Sequence, residues 1–326
     1  MTTIFTSRIV RRSLFAALLL ASSGTGCGGV ESEMDPDVDP GDTTAPVLVD
    51  SIPAANATGV PANQKITLTF SEPMDPATVE DAYSSSLLPL DKVSFQWSPD
   101  QKVLTISPDA PLEYAAGTGF DPSEVTPLTY AITIGAGAAD LAGNPLGASL
   151  ELSFATRRRM TTPFPIVPDL TKALLDTGVL AGVSLFIGDN SAGKQYHSYV
   201  TFDLSSLPAG SDVEAASFDG NQTAPYGLPY ALGAVMTQHI AYSTMDNISA
   251  VQAISLPGEL STNGNVERKF IDVTSQVQDD VINRATRGDR SQYRLQIDKA
   301  TDGDGVADTA VFTKNSFKMM ITYVVD

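Results

Sequence analysis

Cysteine is nearly missing from this chain of 326 residues: there is one, Cys27. A lone thiol excludes an internal disulfide framework and every zinc site that needs several cysteines. Two histidines, His197 and His239, leave no material for a histidine-rich metal centre, and the sequence holds a single tryptophan, Trp97. Basic residues are scarce too, 20 against 38 acidic ones, for a net charge of −18. Such a chain repels phosphate backbones, so no nucleic-acid partner is expected. No serine lies in a nucleophile-elbow context and no glycine-rich loop opens a helix, so neither serine-hydrolase nor nucleotide chemistry has a motif to rest on. The leading apolar run, 14–21, falls short of the roughly 20 residues that cross a hydrocarbon core of about 30 Å. What is present is a 42% hydrophobic content, enough apolar material for real cores in a chain of two-domain length.

The first residues place Arg8, Arg11 and Arg12 before that apolar run, then the small residues Gly24, Thr25 and Gly26, then Cys27. This order reads as a secretory signal over 1–26. It resembles the lipobox of bacterial lipoproteins, departing from it at Gly24, where an aliphatic residue is usual. The resemblance implies lipidation of Cys27 and attachment to a membrane through acyl chains, each buried CH₂ contributing about 0.8 kcal/mol. An extracytoplasmic, lipid-anchored protein is expected, and the absence of Asp after Cys27 points to the outer membrane or cell surface. Residues 27–44 carry Glu31, Glu33, Asp35, Asp37, Asp39 and Asp42 among prolines and almost no apolar side chains, and read as a disordered, self-repelling tether.

From 45 to 156 short alternating runs are separated by Pro, Gly, Asn and Asp: 65–70 (KITLTF), 93–97 (VSFQW), 103–106 (VLTI), 128–134 (LTYAITI) and 150–154 (LELSF). The spacing predicts an antiparallel sandwich, with Val93, Phe95 and Trp97 on one inward face. The phrases APVLVDSIPAANATGVPANQKITLTFSEPMDPATV and ITIGAGAADLAGNPLGASLELSFAT resemble the bacterial Ig-like domain of the S-layer SbsA type. That resemblance implies a spacer or adhesive module without catalytic residues. Glu72 and Asp75, flanked by Pro73 and Pro76, read as turn residues. The stretch 113–127 (EYAAGTGFDPSEVTP) is longer than such domains usually have. With Tyr114 and Phe120 it is a candidate contact loop, neutral length drift being the preferred reading.

Arg157, Arg158 and Arg159 mark a linker over 157–162, read as solvated rather than pinning two domains together. A second domain, 163–326, shows strand patterns at 183–187, 196–202, 232–242, 269–273, 293–297, 310–313 and 317–325. The last puts Phe317, Met319, Ile321, Tyr323 and Val325 on one face. One short helix is expected from Ser275, with a Ser275/Gln278 capping box and a Val277/Val281 pair. The fold class is therefore all-β: an Ig-like β-sandwich plus a jelly-roll-type β-sandwich with one short helix. The runs SYVTFDLSSLPAGSDVEAASF, FIDVTSQVQDDV and YRLQIDKATDGDGVADTAVF resemble DNRLRE-type domains, carbohydrate-binding-like jelly rolls of secreted bacterial proteins. Two departures are noted: Ser217 to Gly220 stand where an aliphatic strand belongs, and no tryptophan follows residue 97. Sugar stacking would then fall to Tyr196, Tyr199, Tyr226 or Tyr230.

The sharpest chemical motif is TDGDGVAD, with Asp302, Asp304 and Asp308 around Gly303 and Gly305. Alternating acids and glycines turn several hard oxygens inward, as calcium requires. The spacing resembles the calcium loops of thrombospondin type-3 and dockerin-like modules, although Ala300 occupies the first acidic position, for which Asp298 is the substitute. The candidate metal set is thus Asp298, Asp302, Asp304 and Asp308 with structural calcium, against a plain solvated turn. Both histidines read as structural, His197 on the more polar face of its strand. The expected role is structural or binding, presenting the second domain to a glycan, matrix polymer or surface protein. A polysaccharide hydrolase using paired loop carboxylates and a purely architectural surface protein are the alternatives.

Overall fold

The computed structural model describes residues 41–175, 178–180, 182–246 and 248–326. The signal, Cys27 and most of the expected tether lie outside them. The protein is all-β. In the first sandwich one sheet contains β1 (Leu48–Ile52), β3 (Ile66–Phe70), β5 (Val93–Trp97) and β6 (Val103–Pro108), in the order β1-β3-β6-β5. The other contains β2 (Ala57–Val60), β4 (Tyr83–Ser84), β8 (Thr129–Ile134) and β9 (Leu150–Thr156), in the order β2-β9-β8-β4. The period of two turns Ile66, Leu68, Phe70, Leu104 and Ile106 of one sheet onto Tyr130, Ile132, Leu152 and Phe154 of the other. Trp97 is half-buried at the rim of this core, stacked on Phe70 and donating its Nε1–H to Glu80 Oε1 at 3.0 Å. Asp75 caps a short helix α1 (Pro76–Asp81), accepting from the Ala77 amide.

The segment 157–162, expected to be a linker, is strand. β10 (Arg158–Phe164) pairs antiparallel with the C-terminal strand and buries Met160, Thr162 and Phe164 on one face. Alternation outweighs the charges: Arg159 falls on the other face, and Arg158, first in the strand on the Met160 face, is half-buried with its Nε donating to Val125 O at 2.7 Å. The other guanidinium groups are also engaged rather than merely solvated: Arg157 pairs with Asp212 and Asp326, and Arg159 with Glu214. The 113–127 insert holds β7 (Ala115–Thr118), which pairs with β10 in parallel.

The second sandwich continues with β11 (Lys172–Leu175), β12 (Gly178–Leu180), β13 (Ser184–Asp189), β14 (Gln195–Asp203), β15 (Asp212–Tyr226), β16 (Val235–Ile240), β17 (Ser255–Ser261), β18 (Arg268–Asp272), β19 (Arg290–Ile297), β20 (Thr309–Thr313) and β21 (Lys318–Val325). The strand path is β17-β16-β19-β14-β13-β20-β15-β21-β10-β7. The 15-residue β15 organises it: residues up to Asn221 pair with β18 and β21, and Gln222 to Tyr226 pair with β20. The unusual Ser217–Gly220 stretch belongs to this strand. Phe218 is buried, Asp219 faces Arg268 at 3.1 Å, and a Cβ on Gly220 would lie 2.5 Å from the Phe317 ring. Glycine stands there because an aromatic ring fills the space a side chain would take. Phe202, Phe218, Tyr293, Phe312 and Phe317 form a chain of ring contacts through the core.

Helices are short: besides α1, the described residues form α2 (Thr274–Ile282) and α3 (Arg284–Arg287). Val277 is buried and Val281 packs on the core as expected. The capping box does not form. Gln278 donates instead to Val213 O at 2.8 Å, and the Thr274 amide donates to Asp272 Oδ1 at 3.0 Å. Among the described residues no helix is long and apolar enough to cross a membrane.

Candidate functional site

Between β19 and β20 the chain makes an acidic loop. Gly303 (φ +74°) and Gly305 (φ +82°) take left-handed conformations that only glycine adopts without strain. Asp302 Oδ1 accepts from the Asp304 amide at 3.1 Å, and Asp304 Oδ1 from the Val306 amide at 2.7 Å. The coil brings one carboxylate oxygen each from Asp302, Asp304 and Asp308 within 4.8 Å of one another. Asp298 does not join them: its Oδ2 accepts from the Ala234 amide at 3.0 Å, serving the turn before β16. Asp308 is buried and locked, its amide donating to Asp189 Oδ1 at 3.1 Å and its carboxylate accepting from the Leu228 amide. The three acids offer hard oxygens to a divalent cation; backbone carbonyls and water would have to supply the rest of six to eight ligands.

The loop lies at the far end of β15 from the Ig-like domain, since Asp212 at the strand's start meets Arg157 while Tyr226 at its end pairs with Thr309. Three exposed apolar side chains belong to this end of the sandwich: Val306 (52%) in the loop itself, Leu228 (75%), whose amide donates to Asp308, and Tyr226 (61%), paired with Thr309. Of the four tyrosines considered for stacking on a sugar, Tyr226 alone is exposed. Tyr199 is buried, Tyr230 turns inward to Gln222 Oε1 (2.5 Å), and Tyr196 packs on Phe186.

A second acidic group was not anticipated. Asp42, Glu72 and Asp140 also bring ligand oxygens within 4.8 Å. Asn144 anchors the group, donating from its amide nitrogens to both Asp140 oxygens (2.8 and 2.9 Å) and to the Asp42 carbonyl at 3.3 Å. Asp42, placed in the tether by composition, is therefore attached to the Ig-like fold. Burial, then the neighbouring Asp42 and Asp140, pushes the Glu72 carboxyl up, while the Thr44 hydrogen bonds hold Asp42 below the usual carboxylate range. Glu72 and Asp140 sit in FSEPMD and DLAGNP, 68 positions apart in the sequence, a separation that spacing alone does not bridge.

The two histidines lie in different surroundings. His197 lies in β14 opposite Leu174. The supposedly polar face it shares is covered: Tyr199 and Thr201 are buried beneath Tyr242 and Leu170. His239 is fully buried, its Nε2 2.9 Å from Asp280 Oδ1, with Arg287 on the same carboxylate. On the other side of the ring Nδ1 faces Ser255 Oγ at 3.5 Å. Serine, histidine and aspartate are thus aligned. The imidazole is fully enclosed, and its bond to Asp280 ties β16 to α2. The Phe202–Pro208 run is structural as well: Leu204 and Leu207 are buried, and Arg284 donates to both of their carbonyls. This run borders an open groove of 680 Å³ whose one cationic side chain, Arg284, is spent on these carbonyls and on Asp289.

Comparison with known proteins bears on the first sandwich. Residues 42–156 match the family model of a bacterial Ig-like domain. Nothing matches among curated proteins. Similar solved structures include PcoC, a methionine-rich copper resistance protein from Escherichia coli, at 18% identity over 35% of this chain and 99% of that one, with a TM-score of 0.25. Another is an L,D-transpeptidase from Mycobacterium smegmatis, at 15% identity over 69% and 79%, with a TM-score of 0.24. At these scores neither bears on what this chain does.

Proposed function

We propose that the chain is a cell-envelope lipoprotein, anchored through Cys27, whose Ig-like domain holds the second sandwich away from the membrane and presents its far loops to a glycan, matrix polymer or surface protein. The observation that carries this reading is that the exposed Tyr226, Leu228 and Val306 and the acids Asp302, Asp304 and Asp308 share the end of β15 remote from the Ig-like domain. A flat exposed ring beside oriented oxygens suits a sugar face, and calcium at the three acids would stiffen the loop between β19 and β20. The DNRLRE resemblance supports the same ligand class. The role is binding and structural, with no catalytic step.

Titration calorimetry of the chain against cell-surface polysaccharides, with calcium and with chelator, tests this. Binding that Tyr226→Ala weakens by roughly tenfold, as loss of a stacking contact worth about 1.4 kcal/mol would do, supports the reading. No heat with any polysaccharide under either condition would leave the purely architectural role in its place. For the anchor, Cys27→Ser is expected to release the protein from membranes, and continued association of that variant would refute lipidation.

A further inference from the structure

Independently of what the far loops bind, two separate attachments join the sandwiches. The first is covalent and one residue long: β9 ends at Thr156 and β10 begins at Arg158. Arg157 between them is held from both sides. Its amide donates to Val60 O at 3.2 Å in the Ig-like domain, and its guanidinium binds Asp212, Asp326 and the carbonyls of Gly210 and Val324 in the second sandwich.

The second attachment is the 113–127 insert. Its foot is fixed in the Ig-like domain, where the Glu113 amide donates to Tyr130 Oη (2.8 Å), Thr156 Oγ1 donates to Glu113 O (2.9 Å) and the Ala62 amide donates to Tyr114 Oη (2.7 Å). Its body belongs to the other sandwich. β7 adds a parallel edge strand to β10, with Ala115 opposite Arg158 and Thr118 opposite Thr161. Phe120 meets Phe164 edge-on at 5.5 Å, and Thr162 Oγ1 donates to Gly119 O. Val125 packs on the second core, and Arg158 Nε donates to its carbonyl at 2.7 Å. Arg159 lies over the Tyr114 ring at 5.4 Å. Gly117 is required by this packing, because a Cβ there would stand 2.2 Å from Val125.

A single short connection leaves a pivot at Arg157. A second attachment, built of strand pairing and side-chain packing, removes it. We infer that the 113–127 segment is a clasp that abolishes the hinge, so that the two sandwiches form one rigid strut and unfold together. The small residues of β7 (AAGT) fit this role, since a ladder of backbone hydrogen bonds needs no particular side chains. Both sandwiches fall within one compact unit, Pro40–Asp326.

Calorimetry and trypsin digestion of the full chain test the clasp, with 115–125 replaced by a Gly/Ser segment of equal length. The unaltered protein should melt in one transition and resist cleavage at Arg157, Arg158 and Arg159. The replacement should melt in two transitions and be cut at these arginines roughly ten times faster, because β10 loses an edge partner and opens more often. Should the replacement not fold, the pair Phe120→Ala and Thr162→Val is read in the same two assays with the same direction expected. Two independent transitions in the unaltered protein overturn the inference. So does an altered chain, of either kind, that keeps one transition and the original cleavage rate.

Discussion

The Ig-like domain buries two polar side chains that stand out, Asp140 and Thr156, and otherwise fills its interior with alternating aliphatic and aromatic residues. The second sandwich buries Asp189, Gln222, His239, Lys269, Asp280, Gln292 and Asp308 alongside its aromatic core. The first interior tolerates error: a lost methylene leaves a cavity and a graded cost. In the second, removing one partner strands another in a medium that cannot solvate it. The same sandwich architecture therefore carries two kinds of fragility, and substitutions can tell them apart.

The largest effect is expected at Asp280, whose carboxylate serves both His239 and Arg287. Asp280→Ala strips the fully buried His239 of its acceptor and leaves the half-buried Arg287 with Asp279 alone, and should destabilise the second sandwich by about 3 kcal/mol in urea unfolding. Leu68→Ala in the Ig-like core should cost about 2 to 5 kcal/mol through its cavity alone. The contrast sharpens in the rescue: Asp280→Asn, which keeps an acceptor without the charge, should recover part of the loss. A loss below about 1 kcal/mol for Asp280→Ala would show that the network is not a brace.

Next comes Gly220, where apolar packing rather than polarity sets the limit. Gly220→Ala forces a methyl to within 2.5 Å of the Phe317 ring and should cost about 1 to 3 kcal/mol. Shrinking the ring in a Phe317→Leu background should reduce that penalty, and a double-mutant cycle by thermal unfolding measures the coupling. Simple additivity would mean that the ring does not dictate the glycine.

Legibility followed how local the cause was. β3, β5 and β21 were readable because each exposes its period of two within a few residues. β10 carries the same period in Met160, Thr162 and Phe164, but three arginines disguised it as a linker. β15 was hidden because Gly220 and Pro225 weaken any strand reading, while the reasons for tolerating them, Phe317 above all, come from elsewhere in the chain. The sites divide in the same way. Asp302 and Asp304 are brought together by turns that each span two residues, which spacing can show, whereas Asp308 is fixed by Asp189 and the Leu228 amide from elsewhere in the chain. Asp298, equally close in sequence, is claimed by a turn near Ala234 that no spacing rule reveals. Asp42, Glu72 and Asp140, like His239, Asp280 and Ser255, meet only after the sheets have formed.

The smallest effect concerns Glu72, half-buried at the edge of the Ig-like domain beside the buried Asp140. The Glu72 carboxyl is pushed above its ordinary 4.5, chiefly by burial and then by Asp42 and Asp140. A raised folded-state pKa means that the folded domain holds the proton more tightly than the unfolded chain. That stabilisation is complete below 4.5 and is lost as pH rises through the folded value. Near neutral pH the ionised Glu72 faces two other carboxylates, so Glu72→Gln should raise the melting temperature there by an amount equivalent to less than about 1 kcal/mol, the group being only partly enclosed. The gain should vanish below the ordinary glutamate range, where both side chains are neutral. Asp42 works in the opposite sense: its lowered pKa contributes stability at neutral pH that is lost as pH falls through its folded value, so Asp42→Asn should lower the melting temperature at pH 7. Measured in chelator, opposite signs for these two neighbouring substitutions would locate the strain in Glu72. A loss of stability for Glu72→Gln would instead mean that its charge is used in the fold, and the contrast with the second sandwich would narrow accordingly.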